Sequence, residues 1–154
     1  MAQREANRLR QMYLEHGVAF GMETVFSDPK GDKISFIVEA RRRGYFVVLV
    51  AIGLESAEKS LARVALRVLR GGHNVPADRV IDRYPRVLAN FKAGARLASL
   101  AIVIDNSEDN PNEEGGAYQP IAVFVDGHVK DVVANPPAWC QSAVLPTDTQ
   151  ELRQ

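Results

Sequence analysis

The chain contains a single cysteine, Cys140, so an internal disulfide framework is excluded and a reducing compartment is expected. Its longest apolar run, Tyr45 to Leu54, is ten residues, well short of the roughly 20 that a membrane-spanning helix needs. The opening Met-Ala-Gln-Arg-Glu-Ala-Asn-Arg carries no apolar core and does not read as a secretory signal. Charge of one sign is also missing overall. Lys plus Arg total 19 and Asp plus Glu total 19, which argues against a wholly basic nucleic-acid binder and against an acidic disordered protein.

The standard phosphate loops are absent as well. The five lysines are Lys30, Lys33, Lys59, Lys92 and Lys130, and none directly follows a glycine, so Gly-x-x-x-x-Gly-Lys-Ser/Thr does not occur. Neither Gly-x-Gly-x-x-Gly nor Gly-x-Ser-x-Gly is present. Cys140 has no Cys or His at metal-binding spacing, so no zinc site is expected. What remains is 154 residues, 46% apolar and 25% charged, the make-up of one ordinary soluble domain.

The zero net charge hides a strong asymmetry. Between Lys59 and Arg96 lie nine basic residues against Asp78 and Asp82 alone. Between Asp105 and Asp131 there are seven acids against Lys130. Concentrated positive charge of this kind attracts phosphate-bearing partners, small or large.

The order of elements places that charge. Arg4 to His16 reads as a helix closed by Gly17, and Val18 to Phe26 as a strand. A helix follows from about Lys33 to Arg43, capped at Gly44. Tyr45 to Ile52 is apolar on both faces, which predicts a central parallel strand covered on both sides. Ser56 can cap the next helix, whose apolar side is Leu61, Val64, Ala65, Val68 and Leu69. Gly71-Gly72 breaks it. Pro76 opens another helix with Val80, Tyr84, Val87, Leu88 and Phe91 on one side and Pro85 as a predicted kink. Leu100 to Ile104 is a short strand ending in Asp105-Asn106-Ser107, and Glu108 to Gly116 is a polar loop expected to be mobile. Tyr118 to Val125 and His128 to Val133 flank Asp126-Gly127, a strong hairpin signal, and Trp139 is expected to pack on the sheet rim. The fold expected is α/β: a mostly parallel sheet flanked by helices with a C-terminal antiparallel hairpin (117–133). A single domain covers residues 1–140, with an arginine-rich helical lid (59–96) and a tail from 141 to 154.

Two arginine stripes are the sharpest feature. Arg63, Arg67 and Arg70 share one helix face, and Arg79, Arg83 and Arg86 repeat the spacing on the next helix. Folded as a hairpin across Gly71-Gly72-His73-Asn74, both stripes would flank one cleft with bidentate donors matched to phosphate. The same spacing also suits an ordinary solvated helix face, although such faces usually mix signs. Glu23-Thr24, His73 and Asp105-Asn106-Ser107 each suit a ligand contact, although taken alone each is more often plain surface or turn chemistry.

Four segments carry a resemblance: AFGMETVFS (19–27), GYFVVLVAIGLESAEKSLARVALRV (44–68), RGGHNVPADRVIDRYPRVLANF (70–91) and IVIDNS (102–107). Together they resemble the zeta toxin family of bacterial P-loop kinases, whose characterised members phosphorylate UDP-N-acetylglucosamine. The resemblance implies a P-loop NTPase-like fold with ATP and Mg2+ as cofactors, a nucleotide-sugar substrate and an antitoxin partner. It implies Glu23 and Thr24 on the substrate side and Arg70, His73 and Arg79 in the phosphate-binding lid. Arg83 and Arg86 would be the catalytic lid arginines, and Asp105, Asn106 and Ser107 would lie near the nucleotide. No metal ligand is assigned.

The family's first strand, Walker A loop and following aspartate have no counterpart in this sequence, so the chain is expected to be N-terminally truncated and inactive alone. The alternative is a non-catalytic interaction module, with a homodimer or a strand borrowed from a partner completing the sheet, that retains anion or nucleotide-sugar binding. Nucleic-acid binding ranks last, because few aromatics accompany the arginines.

Overall fold

The computed structural model describes residues 2–109 and 116–146. Two helices, α1 (Ala2–Glu15) and α2 (Asp32–Arg42), precede the first strand, β1 (Val48–Gly53). Helices α3 (Ala57–Leu69) and α4 (Ala77–Leu97) then lead to β2 (Leu100–Asp105). The hairpin β3 (Gln119–Val125) and β4 (His128–Val132) follows, and α5 (Ala138–Ala143) closes the described chain. The four strands form one open sheet in the order β1-β2-β3-β4.

The architecture is α/β, but the sheet is mixed rather than mostly parallel. Only β1 and β2 run parallel; β2–β3 and β3–β4 are antiparallel. The parallel pair is connected through α3 and α4, the long crossover that parallel neighbours require. The hairpin forms where Asp126-Gly127 predicts it, with both residues at positive φ (48° and 84°), the backbone of a two-residue turn. Residues 110–115 of the acidic loop and the tail from 147 to 154 lie outside the described residues. The boundary drawn at 140/141 falls inside α5, and Val144 and Leu145 beyond it are buried in the core.

Val18–Phe26 is not a strand. The chain here crosses α4 instead of joining the sheet. Thr24 Oγ1 accepts the Phe26 amide (3.1 Å), and Phe26 takes a positive φ of 57°. Asn90 Nδ2 on α4 holds the Phe26 carbonyl at 2.8 Å, and the Phe26 and Phe91 rings stack at 6.1 Å. A backbone fixed by side-chain bonds in a left-handed conformation cannot continue a ladder.

The sheet has one covered face and one bare face. Leu49, Ala51, Ala101, Val103, Ala122 and Phe124 share the side on which α4 and α5 pack. Their helix-side neighbours are small or flat: a Cβ on Gly94 of α4 would meet Leu49 and Phe26, and one on Gly53 would overlap the Trp139 ring. The opposite face carries Val48, Val50 and Ile52 of β1, Leu100, Ile102 and Ile104 of β2, and Val123 and Val125 of β3. Val50 is 51% exposed, against 1% for its neighbour Ala51. β1 is an edge strand, so the expected central strand covered on both sides is instead an edge strand covered on one.

Candidate functional site

Polar groups gather at the carboxyl ends of the parallel pair, the place where α/β sheets usually hold ligands. Gly53 and Asp105 end β1 and β2 side by side. The Asn106 amide donates to the Gly53 carbonyl at 2.9 Å, and the Glu55 amide donates to Ser107 Oγ at 2.8 Å. Asp105 is buried, and its Oδ1 accepts from Ser107 Oγ (2.5 Å) and from Trp139 Nε1 (2.9 Å). Asp105-Asn106-Ser107 therefore knots the strand ends together and fixes α5 onto them. Trp139 sits on the sheet rim, as its position in the sequence suggests.

Above this knot α3 and α4 fold back on one another. Ser56 Oγ caps α3 by accepting from the Lys59 amide at 3.1 Å. The helix ends with Gly71 at φ 86°, its amide on Val68 O and the Gly72 amide on Arg67 O, a paired closure that only glycine adopts cheaply at the first position. A Cβ on Gly72 would collide with the Arg67 side chain, so this turn also fixes where Arg67 lies. Arg67 then donates to the His73 carbonyl at 3.1 Å.

Between α3, α4 and the end of β1 lies a cleft of about 260 Å3. Val80, Tyr84, Val87, Leu88 and Phe91, the apolar side of α4 predicted from spacing, line it. Val64 of α3, Val75 before α4, Ile52 and Leu54 at the end of β1, and Val25 from the crossing segment complete its apolar walls. Two cations, Arg67 and Arg83, border it. Arg83 is half-buried and makes no hydrogen bond or ion pair among the described residues.

Two of the six stripe arginines thus reach the cleft. Arg63 points away from it, donating to Asn106 O (3.2 Å) and Glu108 O (3.1 Å) and pairing with Asp109 at 3.0 Å. Lys59 pairs with the same carboxylate at 3.1 Å, so the acidic loop neutralises the start of the basic segment. The Lys59 hydrogen bond holds the Asp109 carboxyl below its ordinary range, with the charges of Lys59 and Arg63 adding to it. Gly116 closes the loop against Arg63 and Asn106 with no room for a Cβ. Arg86 donates to the Ser27 carbonyl at 3.3 Å and helps pin the crossing segment. Arg79 is exposed in the first turn of α4, and Arg70 caps the far end of α3.

No protein-family model, curated protein or solved structure matches this chain.

The remaining residues singled out from sequence lie apart from the cleft walls. Glu23 and Thr24 are exposed, Thr24 serving the turn at Phe26. The His73 side chain is exposed, and its carbonyl is what holds Arg67. Tyr84 is the functional group that sequence reasoning treated only as apolar: its hydroxyl donates to Leu54 O at 2.8 Å and ties α4 to the end of β1. Burial pushes its phenol up, and the charges of Glu55, Glu58 and Asp105 push in the same direction. No group of three His, Cys, Asp or Glu side chains suited to a metal occurs among the described residues.

Proposed function

We propose that the chain is an anion-binding α/β domain of the zeta-toxin type, whose α3–α4 pair holds a phosphate-bearing small molecule over the carboxyl ends of β1 and β2. One observation carries the reading: Arg83 lines the cleft half-buried and has no counter-charge among the described residues. A guanidinium in that setting gains by pairing with phosphate oxygens, which it meets bidentately. Arg67, held at the border by His73 O, supplies a second positive charge.

The donor set does not fit Mg2+ and ATP. Asp105, the carboxylate at the strand end, has its Oδ1 committed to Trp139 and Ser107, and no glycine-rich loop with a following lysine offers amides to a triphosphate. The chain alone is expected not to turn ATP over. Binding without catalysis is the reading the residues support, in a cytoplasmic protein with one reduced, buried thiol.

The test is titration of the whole chain with inorganic pyrophosphate and with UDP-N-acetylglucosamine, followed by NMR or calorimetry. Arg83→Ala is expected to weaken pyrophosphate binding by roughly 10-fold or more, the worth of a charge-assisted hydrogen bond. Binding unchanged in Arg83→Ala, or steady ADP release from ATP, would overturn the reading.

A second reading, an interaction module that self-associates, is favoured by the bare aliphatic face and free edge of β1. A contiguous apolar patch bounded by the polar β4 residues His128 and Asp131 is the usual character of a contact surface.

A further inference from the structure

The cleft is divided by chemistry. Its body is aliphatic and aromatic, and two of those walls, Val25 and Ile52, remain 61% and 46% exposed. The polar side chains that enter it besides the arginines are Ser60 and Tyr84. Both have committed their protons, Ser60 Oγ to the Ser56 carbonyl (3.1 Å) and Tyr84 Oη to the Leu54 carbonyl (2.8 Å). A sugar or a base placed in the body would lose water from its hydroxyl and amide groups and find few groups to replace it. Such uncompensated burial is unfavourable. At the border the situation reverses: Arg83 has donors and no acceptor among the described residues.

We propose that the cleft takes a small amphiphilic anion, a phosphate monoester of an apolar alcohol, with the hydrocarbon between α3 and α4 and the phosphate on Arg83. Arg67 flanks the headgroup while still held by His73 O. An apolar cavity of about 150 Å3 accepts a benzene ring. By that measure 260 Å3 has room for roughly ten carbons. The hydrocarbon would withdraw the exposed walls from water, which is the driving force for its seating. This inference rests on the anion-binding reading and specifies its ligand: the cleft selects for what the phosphate is attached to, and it selects for an apolar group.

The experiment is a calorimetric titration of the whole chain with n-alkyl phosphates from ethyl to dodecyl, each below its micelle threshold. Inorganic pyrophosphate and glucose 6-phosphate are run beside them. Affinity is expected to rise roughly threefold to fourfold per methylene, the gain for burying a CH2 group, and to level off near ten carbons as the cleft fills. Glucose 6-phosphate is expected to bind no better than ethyl phosphate. Val64→Asn, on a helix with no fully buried side chain, should flatten the chain-length dependence. A flat series with Arg83-dependent pyrophosphate binding would overturn the amphiphile and leave the anion reading standing. A rising series unaffected by Arg83→Ala, for alkyl phosphates and alkyl alcohols alike, would overturn the anion reading and with it the phosphate assignment. The native chain-length series decides the matter even if Val64→Asn does not fold.

Discussion

The two faces of the sheet are built from different residues, and the difference runs against intuition. The covered face uses small side chains at its centre, Ala51, Ala101 and Ala122, and Gly53 at the end of β1, because α4 and α5 lie directly on it with Gly94, Ala95 and Trp139. The bare face carries the larger branched residues Val48, Val50, Ile52, Ile102 and Ile104. Hydrophobicity alone would bury the second set first. Close approach of backbone to backbone, not side-chain hydrophobicity, selects the face that the helices take. A parallel pair normally needs both faces covered, so the open side of β1 and β2 is where this chain departs from the usual architecture.

The largest effect that would break this comparison is in β3, where neighbouring residues point opposite ways. Phe124 is 1% exposed on the covered face and Val125 is 41% exposed on the other. Phe124→Ala is expected to cost about 3–5 kcal/mol, since a large buried ring leaves both lost burial and a cavity. Val125→Ala should cost less than about 1 kcal/mol. Chemical denaturation of both variants measures the contrast, and similar costs would mean that the two faces are equally buried.

The covered side also predicts a response to alkali. Cys140, in α5, is fully buried, and burial first and the Asp105 charge second push its thiol up to about 11 from 9.0. The sign follows from proton counting. Between pH 9 and pH 11 the unfolded thiol gives up its proton while the folded one keeps it, so stability falls as pH rises through that window. The loss is on the order of 2 kcal/mol. Tyr84, whose phenol is also pushed up, adds a loss that begins near pH 10, its ordinary value. Cys140→Ala should remove the part of the slope that begins at pH 9, read from denaturation midpoints between pH 8 and pH 11. An unchanged slope would mean the thiol ionises freely in the folded state.

Much of this was legible in the chain itself. The 3.6-residue spacing of Val80, Tyr84, Val87, Leu88 and Phe91 marks the wall of the cleft, Gly71-Gly72 marks the turn between its helices, and Asp126-Gly127 marks the hairpin. Three things were not. Val18–Phe26 has strand-forming residues, yet its conformation is decided by Asn90, sixty-four residues away from Phe26. The apolar run of β1 shows that both faces are hydrophobic but not whether anything covers them. The arginine stripes share their helix faces, but which of them meets the cleft depends on tertiary partners. Asp109 claims Arg63 and Ser27 claims Arg86, and Arg83 is left on the cleft. Spacing locates a face; only the packed structure distributes its partners.

The smallest effect in free energy sharpens the comparison most directly. Val50 sits on the bare face of an edge strand, so Val50→Lys removes little burial and can send its ammonium into water. Its folding stability is expected to change by no more than about 0.5 kcal/mol, the usual range for an exposed position. What should change is association. An open aliphatic face beside a free strand edge invites pairing between copies, and a lysine at such an edge opposes it because each copy would have to bury the charge. Sedimentation over a range of protein concentrations should therefore show mass increasing for the native chain and staying constant for Val50→Lys. If the native chain remains a monomer at every concentration, the bare face is simply a tolerated surface. If Val50→Lys instead loses stability on the scale of Phe124→Ala, that face is buried after all and the contrast between the two sides of the sheet disappears.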